Sequence, residues 1–495
     1  MQEAIPNFLL QRAYLTPDRK ALVFEERTWT FREMAEIVQE FTKRLASLSI
    51  KRHDRVAILM KNRPDMVFII HALQQIGVDI VFLNFRLTAS ELQFQLEDSE
   101  TKVLIYDEDF SKIAEQLQQL KADMNSFTPI QLRTLPLQEI EIRNEFLLDE
   151  VCSIMYTSGT TGKPKGVLQS FGNHWWSAVG SSLNLGLREN DAWLCAVPLF
   201  HISGMSILMR SIIYGMPVYL MEQFDEKKAN QLLCSGQITI MSVVSAMLNR
   251  MLDDLDDEGY HSAVRCMLLG GGPAPRPLLE KCVDKGIPIF QTYGMTETSS
   301  QIATLSPEDC LKKLGSAGKP LFPAQIKVVD GNGELLEAGQ IGEIQLKGPN
   351  ITAGYLNRPD ANASTFDQGW LKTGDLGYLD EEGFLYVVDR RSDLIISGGE
   401  NIYPAEIEEV LMAHHAVVEA GVTGIDDPTW GQVPYAFVVL KKHAEEKNIL
   451  QFCDERLARY KIPKRIIQVN TLPRNASNKL LRRELIYYVE GGRSQ

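Results

Sequence analysis

Met155-Tyr-Thr-Ser-Gly-Thr-Thr-Gly-Lys-Pro-Lys165-Gly166 follows a short apolar run, residues 151–155, that reads as a buried strand. From Thr157 onward the stretch is hydroxyl, glycine and lysine and cannot pack a core. Gly159, Gly162 and Gly166 let the backbone fold back with its N–H groups converging. The hydroxyls of Thr157, Ser158, Thr160 and Thr161 and the amines of Lys163 and Lys165 add further donors. A chain holds the phosphates of a nucleotide in this way. The spacing is not that of a Walker A loop, because two residues separate Gly159 from Gly162 and Pro164 follows Lys163. P-loop kinase and GTPase chemistry is excluded on that ground.

On both sides of this loop helical and extended patterns alternate. Upstream, the capping box Thr30-Phe-Arg-Glu33 opens a helix to about residue 47, and strands are expected at 55–60, 78–82 and 102–106. Residues 110–148 carry weak patterning and many charges, so a variable peripheral region is expected there. Downstream, short apolar strands fall at 192–196, 217–220, 239–241, 265–269 and 288–290. Strands separated by helices argue for mainly parallel sheets with helices on their faces. After about residue 314, strands come with turns at Asp330-Gly, Asn332-Gly and Glu382-Gly, a barrel-like antiparallel section. The last hundred or so residues mix helices and strands. The fold class is therefore a large α/β N-terminal domain, residues 1–390, with a small α+β C-terminal lid domain, residues 391–495.

The 495 residues are 44% hydrophobic and 23% charged, a globular composition. A net charge of −13 argues against non-specific binding to nucleic acid or anionic membranes. No basic leader precedes an apolar stretch, and no run is long enough to span a bilayer, so no stable membrane insertion and a cytoplasmic location are expected. Seven cysteines without a CxxC pair or a Cys/His cluster imply reduced thiols and no zinc. Assembly into a homo-oligomer is left open.

Further motifs follow in order: Leu268-Leu-Gly-Gly-Gly-Pro-Ala-Pro275, Gln291-Thr-Tyr-Gly-Met-Thr-Glu297, Trp370-Leu-Lys-Thr-Gly-Asp375, the segment 389–408, and Leu472-Pro-Arg-Asn-Ala-Ser-Asn-Lys479. With the loop, they resemble the signatures of the adenylate-forming superfamily of acyl-CoA synthetases, adenylation domains and luciferases. Those enzymes join a carboxylate to AMP, and most then pass the acyl group to a thiol. The resemblance implies ATP and coenzyme A as co-substrates and Mg²⁺ as cofactor.

Carried onto this chain, the resemblance gives Thr157, Ser158, Gly159, Thr160, Thr161 and Lys165 to the phosphates. It sets Gly270, Gly271, Gly272 and Pro273 beside the nucleotide, with Gln291, Tyr293, Gly294 and Met295, and stacks Tyr293 on adenine. Thr296 would contact the α-phosphate, Glu297 bind Mg²⁺, and Asp375 and Arg390 hold the ribose. Ser392 takes the hinge position, usually Asp or Lys, and Ser397, Gly398 and Gly399 would line the coenzyme A tunnel once the small domain turns. Lys479, preceded by Asn478 where glycine is commoner, would bridge the substrate carboxylate and the α-phosphate. From Pro198-Leu-Phe-His-Ile-Ser-Gly204, His201 would gate the carboxylate, and Ser203 and Gly204 would join Gly271, Ser300 and Thr304 in the acyl pocket.

Over the whole chain the likeness is nearest to the branch of the superfamily that activates 2-succinylbenzoate, an aromatic dicarboxylic acid, in menaquinone biosynthesis. Ser300, Thr304 and water would then receive the second carboxylate without a buried counter-charge. Arg210, on an expected helix, could help, but the sequence does not place it. Rival readings are another aryl- or fatty-acyl-CoA ligase, an adenylation protein that loads a carrier protein, and a non-catalytic nucleotide sensor. Intact Glu297, Asp375 and Lys479 speak against the last.

Overall fold

The strand Val151–Thr157 pairs in parallel with Asp79–Phe82 and antiparallel with Lys165–Ser170, so the phosphate loop closes a hairpin. The structure, a computed structural model, describes residues 3–157, 164–257, 259–272, 274, 276–389, 394–441, 445–473 and 480–490. Of the expected site residues, Ser158, Gly159, Thr160, Thr161, Pro273, Arg390, Ser392 and Lys479 lie outside these. The hairpin's sheet continues through Arg55–Leu59, Val103–Tyr106 and Asn125–Phe127, all parallel. Apolar on both faces, Arg55–Leu59 is buried from Val56 on and Asp79–Phe82 along its whole length, as expected of strands covered on two sides.

A second sheet has 14 strands among the described residues. Its parallel part runs through Lys20–Phe24, Val218–Leu220, Trp193–Cys195, Ile240–Val243, Cys266–Leu269 and Ile289–Met295. It goes on, antiparallel, through Ser300–Leu305, Ser316–Pro320, Leu385–Asp389, Trp370–Leu379 and Gly342–Lys347 to Gln325–Val329. Among the described residues no pairing closes this section. The expected barrel-like part is an open extension of the parallel sheet.

One core joins the two sheets, with Ile58, Ile80 and Phe82 from the first and Trp193, Val218 and Leu268 from the second. Helices Pro64–Ile76, Phe171–Leu185 and Ile202–Tyr214 fill the space between them. Pro64–Ile76 is buried at every position from Met66 onward, the polar His71, Gln74 and Gln75 included. The helix Phe31–Ala46 begins with the expected box, Glu33 N–H donating to Thr30 Oγ1 at 3.2 Å and Thr30 N–H to Glu33 Oε2 at 2.8 Å. Residues 110–148 hold more structure than expected: helices Ser111–Leu120 and Pro129–Thr134, and the edge strand Asn125–Phe127. That strand is three residues long, too short to show a period in sequence.

Two histidines on the inter-sheet helices are fully buried. Burial holds His71 down at about 4, and burial with the nearby Arg210 charge does the same for His174. The unfolded chain then binds more protons than the folded one between pH 6.5 and 4, so stability falls as pH falls through that window. Each histidine contributes about 3 kcal/mol to this loss. Urea unfolding at pH 7 and 4.5 should show a clear drop in midpoint; equal midpoints would contradict these burial assignments.

The small domain has its own sheet. Val417–Asp427 and Gly431–Leu440 form a long hairpin, flanked by Arg465–Gln468 and by Ile395–Ser397 with Glu400–Ile402. Its core of Ile395, Ile407, Leu411, Val422 and Ala436 is separate from those of the large domain.

Candidate active site

Parallel strands of both sheets end at one cavity of about 250 Å³. Phe82, Val197, Val243, Gly270 and Met295 mark those strand ends on its wall, the place where open α/β sheets receive ligands. Thr157 and Pro164 bring the two arms of the phosphate hairpin to the same space, and Gly399, Glu400, Tyr403 and Lys461 face it from the small domain.

At the nucleotide end, Gly294 is required by packing, since a Cβ there would lie 1.9 Å from Ser300 O. Gly270, Gly271, Gly294, Met295 and Thr296 line the cavity, whereas Gly272 is set against Ile396 of the small domain. Gln291 and Tyr293 point to the other side of their strand and are 8% and 3% exposed. The Tyr293 hydroxyl donates to Asp375 Oδ2 at 2.7 Å, fixing a carboxylate that is itself 6% exposed. On the next turn Tyr355 donates to Glu297 Oε1 at 2.9 Å, and Lys165 Nζ lies 5.2 Å from the Tyr355 ring centre. Among the described residues no group of three or more His, Cys, Asp or Glu side chains could hold a metal alone. A lone carboxylate, one oxygen steadied by a tyrosine, fits a Mg²⁺ ion that takes its other ligands from phosphates and water.

The acyl end is built on the helix Ile202–Tyr214. Ser203, Ser206 and Arg210 fall on one helical face and line the cavity, and Ser206 Oγ donates to Ser300 Oγ at 3.3 Å. Arg210 is 1% exposed, with its guanidinium 5.4 Å from the Trp193 ring centre. Nη2 donates to Ser177 Oγ at 3.5 Å, Nε has no partner, and burial lowers its pKa from the ordinary value. Among the described residues no carboxylate forms an ion pair with it. Guanidinium remains protonated even so, and a buried charge of this kind calls for an anion.

Two expected acyl contacts do not line this cavity. Gly204 does not face the cavity: a Cβ there would sit 2.2 Å from Pro198 O, so its role is to let the helix close on the preceding turn. Thr304 is 8% exposed, lies opposite Thr292 with the two hydroxyl oxygens 3.4 Å apart, and is absent from the wall. A register shift between Tyr293 and Gly294 breaks strand alternation and brings Gln301 to the wall instead. Ser206, Gln301 and the placement of Arg210 were missed by the sequence reading. For Ser206 and Arg210 the signal was the spacing of 3 and 7 residues from Ser203, which puts 203, 206 and 210 on one face, whereas Gln301 depends on the register shift and left no signal in the sequence.

His201 meets the small domain, its Nε2 lying 3.2 Å from Glu400 Oε2. Arg86 also pairs with Glu400. Burial alone would raise the Glu400 carboxyl, but the His201 and Arg86 charges outweigh it and hold it down at about 2. Gly399 lines the cavity beside Glu400, Gly398 N–H donates to Trp430 O at 2.8 Å, and Ser397 pairs with Gly431. Lys461, part of the basic run before the terminal lysine motif, is buried between Glu91 of the large domain and Glu406, at 2.7 and 2.6 Å. These contacts dock the small domain with the Gly399–Glu400 face inward. Glu400→Gln should slow transfer of a preformed acyl-adenylate to the thiol about tenfold, roughly 1.4 kcal/mol. Pyrophosphate release in a single turnover should change less than about twofold. Equal losses in both steps would contradict this docking role.

Residues 9–356 match the AMP-binding enzyme family and residues 406–479 its C-terminal domain. The chain belongs to this family of adenylate-forming enzymes. It is 56% identical over 487 residues to a 2-succinylbenzoate–CoA ligase of Geobacillus sp. strain WCH70, with 98% of each chain covered. Among solved structures, a double mutant of o-succinylbenzoate CoA synthetase from Bacillus subtilis, bound with its product analogue OSB-NCoA, superposes with a TM-score of 0.93 at 51% identity, covering 98% of each chain. The same organism's enzyme in complex with the acyl-adenylate intermediate OSB-AMP has the same identity and coverage but a TM-score of 0.77.

Proposed function

We propose that this enzyme is an AMP-forming acid–thiol ligase that activates 2-succinylbenzoate with ATP and passes the acyl group to coenzyme A, giving 2-succinylbenzoyl-CoA for menaquinone biosynthesis. The observation that carries the choice of acid is Arg210, a buried cation without a carboxylate partner on the wall of the acyl pocket. A fatty acid has nothing to offer it; an acid with a second carboxylate does.

In the first step the succinyl carboxylate attacks the α-phosphorus of ATP and pyrophosphate leaves. The hairpin loop and Lys165 hold the phosphates, Thr296 contacts the α-phosphate, Asp375 and Arg390 orient the ribose, and Lys479 offsets the charge where the two anions meet. Glu297 would hold Mg²⁺, which when bound neutralises phosphate charge. In the second step the small domain, from about residue 391, has turned about Ser392, and the thiol displaces AMP along Ser397, Gly398 and Gly399. The closer match in shape to the product-analogue complex than to the adenylate complex, at equal identity, supports the second orientation for the present structure. Among the described residues no helix is long and apolar enough to cross a membrane. The partners are small molecules, and the use of ATP and coenzyme A supports a cytoplasmic location.

The test is a coupled assay with ATP and free coenzyme A over a panel of acids, with products identified by mass. A 2-succinylbenzoyl thioester of coenzyme A is expected. Dodecanoyl-CoA formed in preference would reject the assignment, and acyl-adenylate that reacts with a carrier-protein pantetheine but not with free coenzyme A would reject the acceptor.

A further inference from the structure

The turn that bears Thr296 and Glu297 hangs from donors that belong mostly to other elements. Five successive carbonyls each accept a hydrogen bond among the described residues. Thr296 O accepts from Gln169 Nε2 at 2.9 Å, Glu297 O from Thr352 N at 2.8 Å and Thr298 O from Asn350 Nδ2 at 2.9 Å. Ser299 O accepts from Ser177 Oγ at 2.6 Å and Ser300 O from Thr298 Oγ1 at 2.6 Å. The suspension holds a backbone that would not otherwise persist, with φ of 51° at Ser299 and 100° at Ser300, left-handed at two consecutive residues that are not glycine.

Of these supports, Ser177 also touches Arg210. A serine hydroxyl has one proton, and a guanidinium only donates, so the direction of the chain is fixed: Arg210 to Ser177, then Ser177 to Ser299 O. The second link is short, whereas the first, at 3.5 Å, stands at the outer limit of a hydrogen bond. The soft element is the position of the guanidinium. An anion that draws it by a few tenths of an ångström makes or breaks the first link and changes the donor strength of the second.

We propose that Ser177 is a positioning residue that couples anion binding at Arg210 to the seating of the Glu297 turn. An acid with the second carboxylate is then adenylated faster, and not only bound more tightly, than the same acid without it. The proposal rests on the dicarboxylate reading above.

The experiment compares 2-succinylbenzoate with 4-oxo-4-phenylbutanoate, which has the same succinyl arm and no ring carboxylate. Pyrophosphate release gives kcat, and calorimetry gives the Kd of each acid, for the wild type, Ser177→Ala and Ser177→Thr. In the wild type, kcat should be about tenfold higher for the dicarboxylate, the size of one net hydrogen bond. Ser177→Ala removes one support of the turn with either acid, but should lower kcat about tenfold more with the dicarboxylate than with the monoacid, at a Kd within about twofold, so that the preference in kcat disappears, and Ser177→Thr should restore it because it keeps the hydroxyl. An equal fall with both acids would mark Ser177 as merely structural and overturn the proposal. If the alanine variant does not fold, the wild type still decides, because equal kcat for the two acids overturns the coupling. A wild type that favours the dicarboxylate through Kd alone removes the coupling and leaves the substrate assignment standing. A wild type that turns over neither acid removes both.

Discussion

Lys479→Ala should slow formation of the acyl-adenylate by about 100- to 1000-fold, roughly 3–4 kcal/mol, the scale for losing one preorganised donor at developing charge. Two anions, the acid's carboxylate and the α-phosphate, must come within bonding distance in that step, and an ammonium between them offsets a repulsion that water cannot screen in a closed site. On either side of Lys479 along the chain, Leu472 and Leu485 pack with Phe437 and Val469 in a small core of their own. Transfer of supplied acyl-adenylate to coenzyme A should be nearly unaffected, because the orientation proposed for that step is the present one, with Gly399 and Glu400 on the cavity wall. Rapid-quench measurement of both half-reactions separates the two, and equal losses would mean that one orientation serves both.

Arg210→Met should lower kcat/KM for 2-succinylbenzoate by about 100- to 1000-fold, the 3–4 kcal/mol typical of stranding one partner of a buried charge pair. Methionine fills much of the same volume beside Trp193 without the charge. With 4-oxo-4-phenylbutanoate the variant should hold or improve its rate, since a buried cation no longer has to be accommodated. The order of preference between the two acids should therefore invert. Steady-state kinetics on the pair would show it, and parallel losses with both acids would mean that Arg210 is structural.

The part of this site that sequence could reveal is the part whose chemistry is local. A run such as 157–165 has no packing role to confuse with its binding role, and the Tyr293–Glu297 segment is compact enough to carry its own signature. Contacts that depend on parity or distance were not legible. Regular alternation from Ser300 reaches Thr304, but the shift at Tyr293/Gly294 sends Gln301 to the cavity. Gly204 reads equally well as a substrate contact or a packing glycine, and only the nearness of Pro198 O decides. The sequence reading named Arg210 as a residue that could help with the second carboxylate but could not place it, because its burial depends on two sheets meeting around the helix Ile202–Tyr214. The hairpin that presents the phosphate loop was hidden for the same reason: its partner strand Lys165–Ser170 is defined by pairing, not by pattern.

The measurement closest to the centre of this account is ATP–pyrophosphate exchange without coenzyme A, run with 2-succinylbenzoate and with dodecanoate on the same enzyme. The account predicts saturable exchange that depends on 2-succinylbenzoate and is at least about a hundredfold weaker with dodecanoate, the discrimination expected when a buried cation is left unpaired. Exchange as strong with dodecanoate, or none with 2-succinylbenzoate, would contradict it.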